Sequence, residues 1–203
     1  AALAGFAAGM YGLTQALMHL PLGMASDRFG RKKTIYFGLI LFAAGSFTAA
    51  AADSWAMLTL GRALQGAGAV SAAVTALLAD LTREEVRTRA MAMIGLSIGI
   101  VFSASLVLSP MLTGFVGVKG LFVLTGTLTL ASILVVALFT PEPQVSKLHE
   151  DMQAQPGRLA EVFKNRRLMS LNFGIFALHC GMMAIFASLP FVMENLGLDK
   201  TGH

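Results

Sequence analysis

The chain has 203 residues, of which 56% are hydrophobic and only 13% charged, and its mean hydropathy is +0.72. Soluble domains carry roughly 25% charged residues, so this composition argues against a soluble globular protein. The formal net charge of +4 would suit a nucleic-acid binder, but the bases stand in short clusters between apolar runs rather than on one basic face, and no nucleic-acid partner is expected.

A membrane-spanning helix needs about 20 mostly apolar residues. Six stretches meet that length, at residues 1–25, 34–51, 55–78, 90–116, 120–139 and 168–193. None alternates with the period of two that a barrel strand requires, so helices are the expected form. The fold class read from this is an all-α polytopic membrane protein. Residues 1–139 would hold five spans, 140–167 a cytoplasmic linker, and 168–203 a sixth span with an outer loop. The first run begins at Ala1 without an initiator Met or a charged leader, which reads as part of a longer chain.

Lys and Arg orient the spans. Twelve of the 15 follow spans one, three and five: Arg28, Arg31, Lys32 and Lys33; Arg83, Arg87 and Arg89; Lys147, Arg158, Lys164, Arg166 and Arg167. Only Lys119 and Lys200 stand in the loops on the other side. The positive-inside rule puts the first set in the cytoplasm. Residues 157–167 place Leu159, Val162 and Phe163 at helical spacing among Arg158, Glu161, Lys164 and Arg166, which predicts a short amphipathic helix on that face.

The turn after span one reads Gly23-Met24-Ala25-Ser26-Asp27-Arg28-Phe29-Gly30-Arg31-Lys32-Lys33. A plain positive-inside hairpin explains its bases but not the embedded Asp27 or the spaced glycines. Gly23 would let helices approach closely, and Gly30 would permit the positive φ of a tight reversal. In span three, Arg62 lies seven residues beyond Trp55, about 10 Å deep. A charge there costs roughly 2.5–3.5 kcal/mol on insertion scales and usually faces a cavity. Gln65 and Gly66 follow one turn later. His19 and His179 are also intramembrane and titrate near neutral pH, although a lone membrane histidine more often serves packing. Gln15 shares a helix face with His19, and Asn172 with His179. Gly95, Gly99, Ser109, Pro110 and Gly114 give span four a small-residue edge and an expected kink. Met182, Met183 and Phe186 either line an adaptable site or face lipid.

These motifs resemble a known family. Gly-x-x-x-Asp-Arg-x-Gly-Arg-Lys, at Gly23 to Lys32, is similar to the signature of the major facilitator superfamily. Arg62-Ala63-Leu64-Gln65-Gly66 resembles the Arg-x-x-Gln-Gly signature of its proton-coupled drug antiporters. With Ala79-Asp80-Leu81-Thr82-Arg83 and Leu171-Asn172-Phe173-Gly174, the likeness is to the YajR-like bacterial branch. The resemblance implies a partial major facilitator fold, with family helices two to seven out of twelve. It implies a gating charge network of Gly23, Asp27, Arg28, Gly30, Arg31, Lys32 and Asp80, and proton coupling through Arg62, Gln65 and Gly66. The glycine-proline signature of antiporter helix five is matched only weakly around Pro110, because serine and threonine replace expected glycines.

The function expected is proton-driven export of small lipophilic or cationic compounds across the bacterial inner membrane. A sugar or metabolite transporter, and a non-transporting sensor or assembly protein of the same fold, remain as alternatives. The expected partners are the lipid bilayer, a small-molecule substrate with protons, and the remaining helices of the same transporter. No cofactor, metal or catalytic residue is expected. The sequence has no His-Glu-x-x-His, Cys-x-x-Cys or Walker loop, and its one cysteine is Cys180. None of the six spans contains Asp or Glu, so a proton-carrying acid would have to lie in another helix or be replaced by His19 or His179.

Overall fold

The computed structural model describes residues 2–141 and 163–195, and every regular element among them is a helix. These are α1 (Ala2–Phe29), α2 (Arg31–Ala50), α3 (Trp55–Ala67), α4 (Ser71–Leu81), α5 (Glu84–Phe139) and α6 (Arg166–Asn195). Two compact units divide the chain, Ala1–Asp151 with α1 to α5 and Met152–His203 with α6. Of the amphipathic helix expected at 157–167, residues 157–162 lie outside the described residues; Phe163 and Lys164 are helical, Asn165 is not, and Arg166 and Arg167 begin α6. Asn165 precedes α6 and caps it, its Oδ1 accepting from the amides of Arg167 and Leu168 at 3.1 and 3.3 Å.

Three side-chain contacts establish how the first unit is threaded. Arg31 reaches Asp80, Lys32 reaches the carbonyl of Thr140, and Lys119 reaches Asp53. The α1–α2 turn, the end of α4 and the end of α5 therefore share one end of the bundle. The α2–α3 turn and the residues after Gly117 share the other. Residues 2–141 thus traverse the bundle five times, and the basic clusters fall at one end.

Four segments are long and apolar enough to cross a bilayer: Arg31–Ala50, Trp55–Leu81, Glu84–Phe139 and Arg166–Ile185. The third contains 56 residues, more than twice the length a span needs. Gly117 divides it with φ 68 and ψ 176, so the loop expected at 117–119 is a single positive-φ residue. The expected first span, α1, is long enough at 28 residues but is not among the four. Tyr11, Thr14, Gln15 and His19 dilute its apolar character.

Other expectations are corrected. The third span is not one helix: α3 ends at Ala67 and α4 begins at Ser71. Gly66 and Ala67 close α3, and Gly68 is its C-cap rather than a helix-interior residue. A Cβ on Gly68 would stand 2.5 Å from both the Gly38 carbonyl and the Phe42 amide, so the strand of backbone between α3 and α4 lies directly on α2. Pro110 sits inside α5, whose one non-helical residue is Gly117. Gly23, Gly95, Gly99 and Gly114 have no neighbour within 4 Å of where a Cβ would be, so among the described residues they mediate no close helix contact.

The close contact lies instead between α2 and α3. A Cβ on Gly45 would fall 2.5 Å from the Gln65 amide and 2.7 Å from the Gly61 carbonyl. A Cβ on Gly61 would fall 2.6 Å from the Ala49 amide. The two backbones touch, as small residues allow where no hydrophobic force drives helices together in lipid. Beside them Ile35, Ala73 and Leu77 form a small apolar core with Leu39 and Val136.

Alanine at Gly45 is expected to cost about 1–3 kcal/mol through overpacking, outweighing its helix propensity gain of about 1 kcal/mol. Thermal unfolding in detergent checks this as a lowered midpoint. Gly95→Ala, which meets open space, is expected to leave the midpoint unchanged or raise it.

Candidate functional site

Gly30 is the only residue between α1 and α2, and its φ of 100 is one that L side chains rarely adopt. So short a turn sets Asp27, in the last turn of α1, against Arg31, the first residue of α2. The Nη1 of Arg31 donates to the Asp27 carboxylate and to Ser26 Oγ at 2.7 Å. The Nε donates to Asp80 Oδ2 at 2.8 Å. Ser26 Oγ donates in turn to the Gly23 carbonyl at 2.7 Å.

Packing delivers Asp80 to this turn. On α4, Leu77 and Asp80 lie three residues apart on one face; on α2, Arg31 and Ile35 lie four apart. Leu77 packs in the core with Ile35, which brings the acid one turn on beside the guanidinium. The Arg31 and Asp80 side chains are each 12% exposed and Asp27 is 26% exposed, so the network is half sheltered. A planar guanidinium with five donors suits it, because it can serve three acceptors in fixed directions.

The other residues of the motif are dispersed. Lys32 donates to the Thr140 carbonyl at 2.9 Å, placing a cation on the negative end of α5. Arg28 turns away and lies over the Phe29 ring, 5.5 Å from its centroid. Gly23 contributes only its carbonyl.

A second cluster lies within the bundle. Residues 61 and 65 of α3 face α2, and residues 62 and 66 face α1, as the helical period requires. Gly66 lets α1 in so closely that a Cβ there would meet the Tyr11 carbonyl and Thr14 Oγ1. Arg62 is thereby set against Tyr11, its Cζ 4.6 Å from the ring centroid. Its Nη1 donates to Gln65 Oε1 at 2.9 Å, and Gln65 Nε2 donates to Ser46 Oγ at 2.8 Å. Ser46 Oγ donates in turn to the Phe42 carbonyl at 2.9 Å. Gln65 is 1% and Ser46 0% exposed, so the chain of hydrogen bonds runs through buried groups, each with a partner. The cation–π contact holds the guanidinium from the α1 side at the mouth of that chain.

The remaining candidates are not gathered into either cluster. Gln15 is half-buried and His19 exposed on α1. Asn172 and His179 are both exposed on α6, where His179 Nδ1 lies 3.0 Å from the Ile175 carbonyl. Ser109, Pro110, Gly95 and Gly99 are exposed, and Gly114 is also open. Met182 is half-buried and Met183 exposed.

Three participants escaped the sequence reading. Ser26 is 1% exposed and sits directly before Asp27 within the motif; the missed signal was a hydroxyl in a turn crowded with charge. Ser46 follows Gly45 in a small-residue run, where a hydroxyl is most easily taken for mere packing. Tyr11 lies four residues before Gln15 on the same face of α1, and only the close α1–α3 approach reveals its partner.

A family model described as Major Facilitator Superfamily matches residues 1–202. The inner membrane transport protein YajR of Escherichia coli is 45% identical over 202 residues, covering 100% of this chain and 44% of that protein. An uncharacterized transporter of Buchnera aphidicola subsp. Schizaphis graminum is 35% identical over 201 residues, covering 99% of this chain and 51% of its own length. The tetracycline resistance protein, class B, of Escherichia coli is 29% identical over 153 residues, 73% of this chain and 37% of that one. The chain thus spans about half the length of the curated relatives it matches.

Replacing Arg31 by Gln leaves Asp27 and Asp80 close together without their common base. The expected loss is about 1–3 kcal/mol, the penalty of an unsatisfied group. Thermal unfolding in detergent at neutral pH reads it, and adding Asp80→Asn to that variant is expected to recover part of the loss. Arg31→Lys is expected to recover less than the wild-type midpoint, since a point charge cannot serve three directions.

Proposed function

This chain belongs to the major facilitator superfamily, and from that premise we propose that it forms part of a transporter that exports small lipophilic or cationic compounds in exchange for protons. It is a multi-pass inner-membrane protein. The observation that carries the finer reading is Arg62. A guanidinium is kept well inside a span, wedged between the Tyr11 ring and the Gln65 amide, at the end of a buried hydrogen-bond chain. Insertion scales make such a charge costly, and a neutral donor would satisfy the Gln65 oxygen equally well. Its use is electrostatic: a fixed cation lowers the proton affinity of a group that comes near it and raises it again when the group departs.

The Arg31 network supports the alternating part of the mechanism. Partly sheltered ion pairs contribute little net stability, but they define one of two arrangements sharply when they form or break together. In this reading Asp27, Arg31 and Asp80 hold one state of the cytoplasmic gate, and rocking about a central site opens it. Export of an amphiphilic compound agrees with the match to a tetracycline resistance protein, with the Arg-x-x-Gln-Gly motif of span three, and with a chain in which Met and Phe supply 12 and 14 residues.

The test uses everted membrane vesicles from cells expressing the whole protein. Accumulation of a fluorescent lipophilic cation is expected to need the proton gradient and to cease when a protonophore collapses it. Arg62→Ala is expected to slow transport by at least about tenfold, equivalent to about 1.4 kcal/mol. Transport that persists without the gradient overturns proton coupling. Movement of a sugar or other neutral metabolite, with none of the cation, overturns the substrate class and favours the metabolite reading.

A further inference from the structure

At the end of the first unit opposite the Arg31 network lies a cavity of about 280 Å³. The α2–α3 turn and the residues after Gly117 border it. Asp53 and Lys119 form its rim, with Nζ to Oδ1 at 2.8 Å. Trp55, Leu58, Val118 and Phe122 supply apolar walls. Neither cluster described above includes any of these residues.

The rim pair is easily exchanged. The Lys119 side chain is 63% exposed and that of Asp53 90%, and ion pairs so open to water add little stability. The hydrogen bond from the Lys119 ammonium, and then its charge, hold the Asp53 carboxyl below its ordinary range, so it is a carboxylate at neutral pH. Trp55 is half exposed at the first residue of α3. Tryptophan at the end of a span sits at headgroup level, with an apolar body toward the acyl chains. The site thus offers one cation, one anion and an apolar floor at the depth where a lipid presents the complementary set.

We propose that this cavity binds a zwitterionic phospholipid with a primary amine, phosphatidylethanolamine. The lipid phosphate accepts from the Lys119 ammonium, the lipid ammonium donates to the Asp53 carboxylate, and the upper acyl chain lies along Trp55, Leu58, Val118 and Phe122. One ion pair is exchanged for two, and the net charge of site and headgroup are both zero. An anionic lipid would satisfy Lys119 but set its phosphate beside Asp53.

These 203 residues contain one tryptophan, Trp55, and any tryptophan elsewhere in the whole protein is replaced by phenylalanine so that the fluorescence reports on this site. The protein is reconstituted in vesicles of equal parts phosphatidylethanolamine and phosphatidylglycerol, with the acyl chains of one lipid at a time brominated to quench Trp55. Brominated phosphatidylethanolamine is expected to be enriched at Trp55 by about two- to fivefold over brominated phosphatidylglycerol, the scale of exchanging exposed ion pairs. The double variant Asp53→Asn with Lys119→Gln is expected to abolish that preference. Circular dichroism is expected to show its helices unchanged, because both side chains are exposed. Equal quenching by the two lipids in the unaltered protein would mean an ordinary lipid annulus and would overturn the proposal. So would a preference for phosphatidylglycerol, or a preference that survives in the double variant.

Discussion

At Gly45 and Gly61 the backbones of α2 and α3 touch, and most of what surrounds them follows from that contact. In a bilayer, apolar side chains gain nothing by leaving lipid for one another, so helices associate by fitting closely and by satisfying polar groups across the seam. Once α2 and α3 lie this near, Gln65 is sealed against Ser46. A sealed amide must be satisfied on both sides, and its oxygen accepts from Arg62. Gly66, on the neighbouring face, admits α1 and with it the Tyr11 ring. The position of Arg62 is therefore a result of glycines placed one residue before it and one turn after it.

The same seam governs the charged end. Gly68 lies on the backbone of α2 and interrupts the third span there. The interruption lets α4 restart with Ala73 and Leu77 directed at Ile35. From that register Asp80 arrives at Arg31. A continuous helix from Trp55 to Leu81 would carry the acid on at a steady 100° per residue, with no freedom to correct its direction. The break is thus what reconciles two demands on one span: a backbone contact at its middle and an ion pair at its end.

Much of this was legible in the sequence. Composition, the long apolar runs and the placement of Lys and Arg gave the helical membrane class and the alternation of ends, because bilayer thickness and loop charge act on sequence directly. The grouping of Asp27, Arg31 and Asp80 was implied by the family resemblance, and the structure brings their side chains together. What escaped depended on which face of a helix met which neighbour. Gly23, Gly95, Gly99 and Gly114 look like packing glycines in sequence, but among the described residues close contacts between helices are made at Gly38, Gly45, Gly61, Gly66, Gly68 and Gly126. Spacing of four describes a face, and several faces of this chain have small residues; only the fold selects one. Ser26, Ser46 and Tyr11 were invisible for the same reason, since a hydroxyl or ring gains its meaning from a partner on another helix.

Lys32 adds a mechanical consequence to the Arg31 turn. Its ammonium rests on the carbonyl of Thr140, where α5 ends. Thr140 is therefore held only one residue along the chain from the guanidinium that gathers Asp27 and Asp80. With only Gly30 between α1 and α2, that turn has no slack to absorb a tilt of either helix. A displacement of the turn therefore pulls on Thr140 through this hydrogen bond, so the end of the fifth traverse is leashed to the charge cluster.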